Sequence, residues 1–211
     1  LNALKDAGLE GRTRVIFSSD HGDNQGVRGM WNKSTLYREA THVPMVVAGP
    51  GVPENHLCHT HVNLIDVAPT VLANAGLSPD KALPGRDLLE IALSPDDPQR
   101  LGFSEYHAVG SPSAAYMLRQ DRWAYHHYVG YPAELFDIVK DPGQTTNLAA
   151  SVTHQSVCQA FEKLLRQKLD PEGIDQQAKA DQDRLIEKFG GREKALKMGT
   201  PGASPVPDKS L

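Results

Sequence analysis

The chain has 211 residues, 39% of them hydrophobic and 23% charged, with a formal net charge of -4. That composition is ordinary for a globular protein and long enough for one sizeable core, or one domain with a small companion. The mild acidity argues against a nucleic-acid partner, and no apolar run approaches the roughly 20 residues that span a bilayer, so a soluble chain with no membrane partner is expected.

The opening, "LNALKDAGLEG", lacks an initiating Met, a basic segment and a long apolar core, and does not read as a signal peptide. Leu1, Ala3, Leu4 and Ala7 form one face of a helix that Gly8 ends, so the chain is expected to be the rear part of a longer protein. Its compartment stays open, cytoplasmic or exported, because any export signal would precede Leu1. Cys58 and Cys158 form no Cys-x-x-Cys pair and leave the redox environment undecided.

Residues 1–93 read as α/β. Two short β-branched runs, residues 14–19 and 43–48, have the pattern of strands buried on both faces, and "GPG" stops the second. In residues 63–76 Asn63 is placed to cap a helix, Leu64, Val67, Val71 and Leu72 share a face, Gly76 closes it, and Pro69 bends it or sits where a hydrogen bond is already missing. "SPDDPQR" then forms a joint. Beyond it, in residues 94–170, four strand-like pieces (101–106, 114–119, 123–129 and 134–136) with short polar connections predict a small antiparallel sheet, followed by a helix bearing Val157, Phe161, Leu164, Leu165 and Leu169 on one side. Residues 171–211 read as a charged extension with a surface helix over 176–189 and a mobile Pro/Gly/Ser-rich end after Met198, which would suit an oligomeric enzyme if it lay across a neighbouring subunit.

The chemistry gathers where the first strand ends. "SSDHGDNQG" sets Asp20 and His21 side by side, a carboxylate and an imidazole that both suit a divalent cation, with Gly22 letting the backbone turn. Ser, Asp and Gly are also turn formers, and two ligands do not complete a site.

The order of the segments along the chain carries more. "SDHGDNQG", "RGMWNKSTLY", "HVPMVVAGPGVP" and "VNLIDVAPTVLANAGL", continued by "PGRDLL", "FSEYH" and "ELFDIVKDPGQTTNLA", resemble the sulfatase family, a branch of the alkaline-phosphatase superfamily. The resemblance covers about residues 1–149. It implies part of an alkaline-phosphatase-like α/β sandwich with a small four-stranded antiparallel sheet and packed helix. It further implies Asp20 and His21 as ligands of the active-site divalent cation, usually calcium. Many relatives have Asn where His21 stands, and imidazole is the softer ligand, so manganese and magnesium stay beside calcium. Lys33 is implied to bind a sulfate oxygen and assist catalysis, with Trp31 beside it at the substrate, a small-molecule sulfate ester. A fixed ammonium and a cation would stabilise the charge spread over a transferring sulfuryl group.

Sulfatases use a formylglycine made from the Cys or Ser of a Cys/Ser-x-Pro-x-Arg motif, which this sequence lacks. The expectation is therefore the C-terminal portion of a sulfatase, inactive alone. A phosphonate monoester hydrolase or phosphodiesterase of the same superfamily and a noncatalytic fragment are the alternatives. Arg38 and Glu39 read as surface residues. His107, ending the first strand of the small sheet, is a candidate to contact substrate or protonate a leaving group, with a partly buried structural His as the alternative. Of His126 and His127, alternation lets at most one point inward. "HLCHTH" sets His56, Cys58, His59 and His61 at metal-like spacing, but all on one loop, where a polar surface loop is the simpler reading.

Overall fold

The computed structural model describes residues 1–78, 80, 82–107 and 111–197, and the end after Met198 lies outside them. In chain order its elements are α1 (Asn2–Asp6), β1 (Val15–Ser18), α2 (Arg38–Thr41), β2 (Met45–Ala48), α3 (Val67–Asn74), α4 (Leu88–Leu93), β3 (Gly102–Tyr106), β4 (Ala115–Gln120), β5 (Trp123–Tyr128), β6 (Tyr131–Asp137), α5 (Gln155–Lys168), α6 (Pro171–Lys188) and α7 (Arg192–Lys197).

The two β-branched runs are strands, paired antiparallel with Val15 opposite Ala48 and Ser18 opposite Met45. They are not buried on both faces: Phe17 is 63% and Val46 55% exposed. The pair forms a two-stranded ribbon, so no further strand among the described residues extends it. Gly49 ends β2 in a backbone conformation (φ 121°) that a side chain could not share, since a Cβ there would stand 2.5 Å from the Thr13 carbonyl oxygen.

Asn63 caps a short turn over Leu64–Asp66 that precedes α3, and its own N–H donates to Asp66 at 2.7 Å. It also reaches further than a cap. Its side-chain oxygen accepts from the Phe103 N–H at 2.9 Å, tying the first part of the chain to β3. Pro69 falls in the first turn of α3, where backbone N–H groups have no helical partner. Gly76 follows with φ 73°, as a closing glycine should. Asp66 is fully buried and accepts from the Arg86 N–H and from Arg100 Nη2, each at 2.8 Å. Arg100 also donates to the His61 carbonyl, so this buried ion pair pins the joint that leads into β3.

The second sheet is an antiparallel meander, β3-β4-β5-β6. One face (Tyr116, Leu118, Tyr125 and Leu135) packs on Phe161 and Leu165 of α5 and makes the main core. On the other face Ala115 and Met117 pack against Leu36, with Tyr106 and Tyr128 beside them. With both faces covered, the limit of one inward histidine fails: His126 is fully buried on the Leu36 side, beside Tyr37 and Phe136, and His127 is held 3.0 Å from Glu162 on the helix side. The helix expected at 176–189 starts earlier, at Pro171, with Asp170 accepting from the Gly173 N–H at 3.2 Å. It is also not wholly a surface helix, because its Asp175 is buried and accepts from the Ala114 N–H at 2.7 Å.

Candidate active site

The turn after β1 is built on a glycine. The Gly22 N–H donates to the Ala40 carbonyl at 2.8 Å, and a Cβ on Gly22 would lie 2.0 Å from the Glu39 carbonyl oxygen. Only glycine lets the Asp-His turn press against α2 in this way. Beyond it, buried Asn24 holds the following loop shut: its N–H donates to the Asn32 carbonyl at 2.9 Å and its side-chain oxygen accepts from Thr35 at 3.1 Å. That closure brings Lys33, twelve positions on, back over His21.

The three side chains meet in a defined way. His21 Nδ1 lies 2.8 Å from the Gly22 carbonyl oxygen, an acceptor only, so Nδ1 carries the proton and Nε2 presents its lone pair. Lys33 Nζ donates to that lone pair at 2.5 Å. Asp20 Oδ2 lies 3.2 Å from the same Nε2. Two acceptors thus converge on a position that calls for positive charge. Ligands at right angles on one ion lie about 2.9 Å apart for magnesium and about 3.4 Å for calcium, and the Asp20–His21 separation of 3.2 Å falls between them. The donor set therefore fits a divalent cation, with these two residues as a partial shell. Asp20 is mostly exposed. Desolvation would raise its pKa, but the His21 N–H and the positive charge of Lys33 act against it, and the carboxyl is held below its ordinary value.

These groups lie at one end of a cleft of about 1060 Å³ between the two sheets, lined also by Thr35, His42, His61, Tyr106, Met117 and Arg119. Trp31, expected at the substrate, does not line it; the indole covers Gly26 and is 72% exposed. His107 does not line it either. Along β3 the side chains alternate, so Tyr106 faces the cleft while His107 turns to the helix side, its ring 5.4 Å from that of Tyr116 and its Nε2 3.2 Å from Glu105. The period-two rule applied from Tyr106 gives this placement. The "HLCHTH" side chains diverge: the His61 Nε2–H donates to the Asp121 carbonyl at 3.2 Å, and Cys58 points to the Ile91 carbonyl. Among the described residues, no three His, Cys, Asp or Glu groups gather as a metal site of their own would need.

Glu39 is not a free surface residue. It pairs with Arg28 at 2.7 Å, both side chains less than one-fifth exposed. Arg28 lies 4.1 Å over the Tyr37 ring and also donates to the Gly143 and Gln144 carbonyls. The Tyr37 hydroxyl donates to Glu134 at 2.9 Å, and burial together with that carboxylate pushes its pKa up to about 12. Arg28 and Glu39 are eleven residues apart, and Arg28 lies outside the helix that carries Glu39, so nothing in the sequence marks the pair.

A family model described as N-sulphoglucosamine sulphohydrolase, C-terminal, matches residues 26–170. The chain belongs to the sulfatase family. The matched span includes Lys33 and the whole meander, while Asp20 and His21 precede it. Arylsulfatase K of Danio rerio is 34% identical to this sulfatase chain over 176 residues, covering 80% of it and 33% of the relative. A solved structure of a 2-O GAG sulfatase superposes with a TM-score of 0.69 at 27% identity, over 85% of the chain and 40% of its own. A phosphonate monoester hydrolase of Agrobacterium radiobacter does so with a TM-score of 0.68 at 29% identity, over 78% and 36%. The sulfatase chain thus spans about a third of the length of that curated relative, and the family model it matches is that of a C-terminal part. The α/β architecture with its four-stranded antiparallel sheet is that of the sulfatase fold.

Proposed function

We propose that this chain supplies one wall of the active site of a sulfate-ester hydrolase. Lys33 binds a sulfate oxygen, and Asp20 and His21 ligate a divalent cation, calcium first, with manganese or magnesium also suited to the donor set. The observation that carries the reading is the proton-fixed His21, whose Nε2 lone pair meets Asp20 Oδ2 and Lys33 Nζ at one point. When bound, the cation would act as a Lewis acid on the sulfuryl oxygens. The chain's own residues do the positioning: the Gly22 carbonyl orients His21, Asn24 fixes the loop, and Lys33 places a positive charge where oxyanion charge develops. Cys158 lies on α5 with its thiol pKa raised by burial, and Cys58 faces the Ile91 carbonyl. The formylglycine nucleophile is accordingly assigned to a part of the sulfatase that this chain does not contain, and the chain alone should not turn over.

The test is Lys33→Ala in the full-length protein. Hydrolysis of 4-nitrophenyl sulfate should fall by at least about 100-fold, the usual cost of losing one charge-stabilising donor. Unchanged turnover would remove Lys33 from the site. The likeness to a phosphonate monoester hydrolase supports a second reading, because a phosphonate presents a similar tetrahedral oxyanion. Comparing kcat/KM for 4-nitrophenyl sulfate and a phenyl phosphonate ester separates the two.

A further inference from the structure

A second cation lines the same cleft at the far end of β3 from Lys33: Arg119 pairs with Gly102, whereas the Tyr106 hydroxyl donates to Ser34, the neighbour of Lys33, at 3.0 Å. Arg119 follows Ala115 and Met117 on the cleft side of β4, and its Nε is buried without a hydrogen-bond partner. Across from it β3 has Gly102, where a Cβ would press to 3.3 Å of the Arg119 Cβ and 3.9 Å of the His61 Cβ. A glycine in a strand costs stability, and here it leaves room beside the base of the Arg119 side chain. Burial lowers the Arg119 pKa, and the nearby charge that lowers it further is a second cation, Arg38. His42 and His61 line the same cleft. Both are held below their ordinary value, first by burial and then by the positive charge of Arg119.

Three of the four carboxylates that line the cleft have partners of their own, and the charge that acts on Arg119 is Arg38 rather than the fourth, Asp121. Asp20 lies at His21, Asp96 accepts from the His59 N–H at 2.8 Å, and Glu105 sits 3.2 Å from His107. Asp121 acts on His61 and Arg122. Arg119 is therefore a guanidinium with an unsatisfied buried donor and a like charge beside it, facing a polar cleft. An oxyanion would supply both the missing acceptor and the missing charge.

We propose that Arg119 is a second anion-binding group of this cleft, so that the favoured sulfate esters carry a further oxyanion, a carboxylate or a second sulfate, besides the ester sulfate at Lys33. The proposal deepens the sulfatase reading and rests on it. One ligand then spans the cleft, its reacting sulfate at the Asp20–His21–Lys33 end and its second anion at β4.

Three non-hydrolysable sulfonates test this by calorimetry on the full-length protein: hexanesulfonate, hexane-1,6-disulfonate and 6-sulfohexanoate. At least one doubly charged ligand should bind about tenfold more tightly than hexanesulfonate, a gain in the range of one charge-assisted contact. Which of the two does so tells a second sulfate from a carboxylate. In Arg119→Gln the ratio should collapse towards one, and Arg119→Lys should restore part of it, with melting temperatures confirming that both variants fold. Equal binding of all three ligands by the wild type, no binding of any, or a ratio that survives Arg119→Gln would overturn the proposal. Lys33→Ala separates the two readings: if it leaves hexanesulfonate binding unchanged, the sulfate site is misplaced, whatever the ratio shows.

Discussion

Single atoms decide the geometry at Asp20–His21–Lys33, and the most demanding is one that is absent, the Cβ of Gly22. Gly22→Ala would force that carbon against the Glu39 carbonyl oxygen, so the turn must open or α2 must move. The expected result is a loss of stability of about 1–3 kcal/mol together with loss of cation-dependent activity in the full-length protein. Wild-type melting and turnover in the Gly22→Ala variant would show that the close approach is dispensable. Glu134 gives a second expectation. Burial alone would raise its pKa, but hydrogen bonds from His126, Tyr128 and Tyr37 outweigh it and leave the folded value below the ordinary 4.5. A carboxyl shifted in this direction stabilises the fold above its unfolded pKa, and that contribution is lost as pH falls through the lower folded value. Glu134→Gln should therefore flatten the decline of the urea midpoint below about pH 4.5. An unaltered slope in the variant would mean that other carboxylates set the acid response.

At the scale of elements, local patterns are what the sequence makes legible. The strands and α5 can be read because β-branched runs and the Val157–Leu169 stripe are such patterns, and Val157, Phe161, Leu164, Leu165 and Leu169 all join the main core. Truncating one of them, Leu165→Ala, should cost about 2–5 kcal/mol in urea unfolding, because Leu165 is fully buried against the sheet; a cost under about 1 kcal/mol would place the core elsewhere. Partners far apart in sequence cannot be read in this way. Asn63 is legible as a cap, a local preference, whereas its bond to Phe103 spans forty residues. Glu39 reads as exposed because no sequence rule links it to Arg28. His107 stands out for its chemistry, although alternation along β3 gives the cleft to Tyr106 instead.

For the molecule as a whole, one buried ion pair ties the turn ahead of α3 to the joint that leads into the meander, and so holds the two parts of the chain together beside the cleft. Asp66 is fully buried, and Arg100 is its charged partner. Removing the carboxylate in Asp66→Ala would leave the buried Arg100 charge without its partner and two backbone N–H groups without an acceptor, which should cost about 3–5 kcal/mol. Thermal unfolding checks this, and a shift within error would mean the joint is held by other contacts. Asp20, His21 and Lys33 are legible as a motif because their order along the chain is distinctive. That they meet at His21 Nε2 depends on the Asn24 closure, which only the folded chain displays. Arg119 has no such signal, since one basic residue in a strand makes no motif. The function assigned to this cleft depends first on Asp20 and His21 holding a cation. The most direct measurement is the divalent-metal content of the purified full-length protein and of its Asp20→Ala and His21→Ala variants, by elemental analysis after dialysis. About one bound cation per chain is expected in the wild type and its loss in both variants, with the fold intact by circular dichroism. Equal metal content in all three proteins would contradict the assignment.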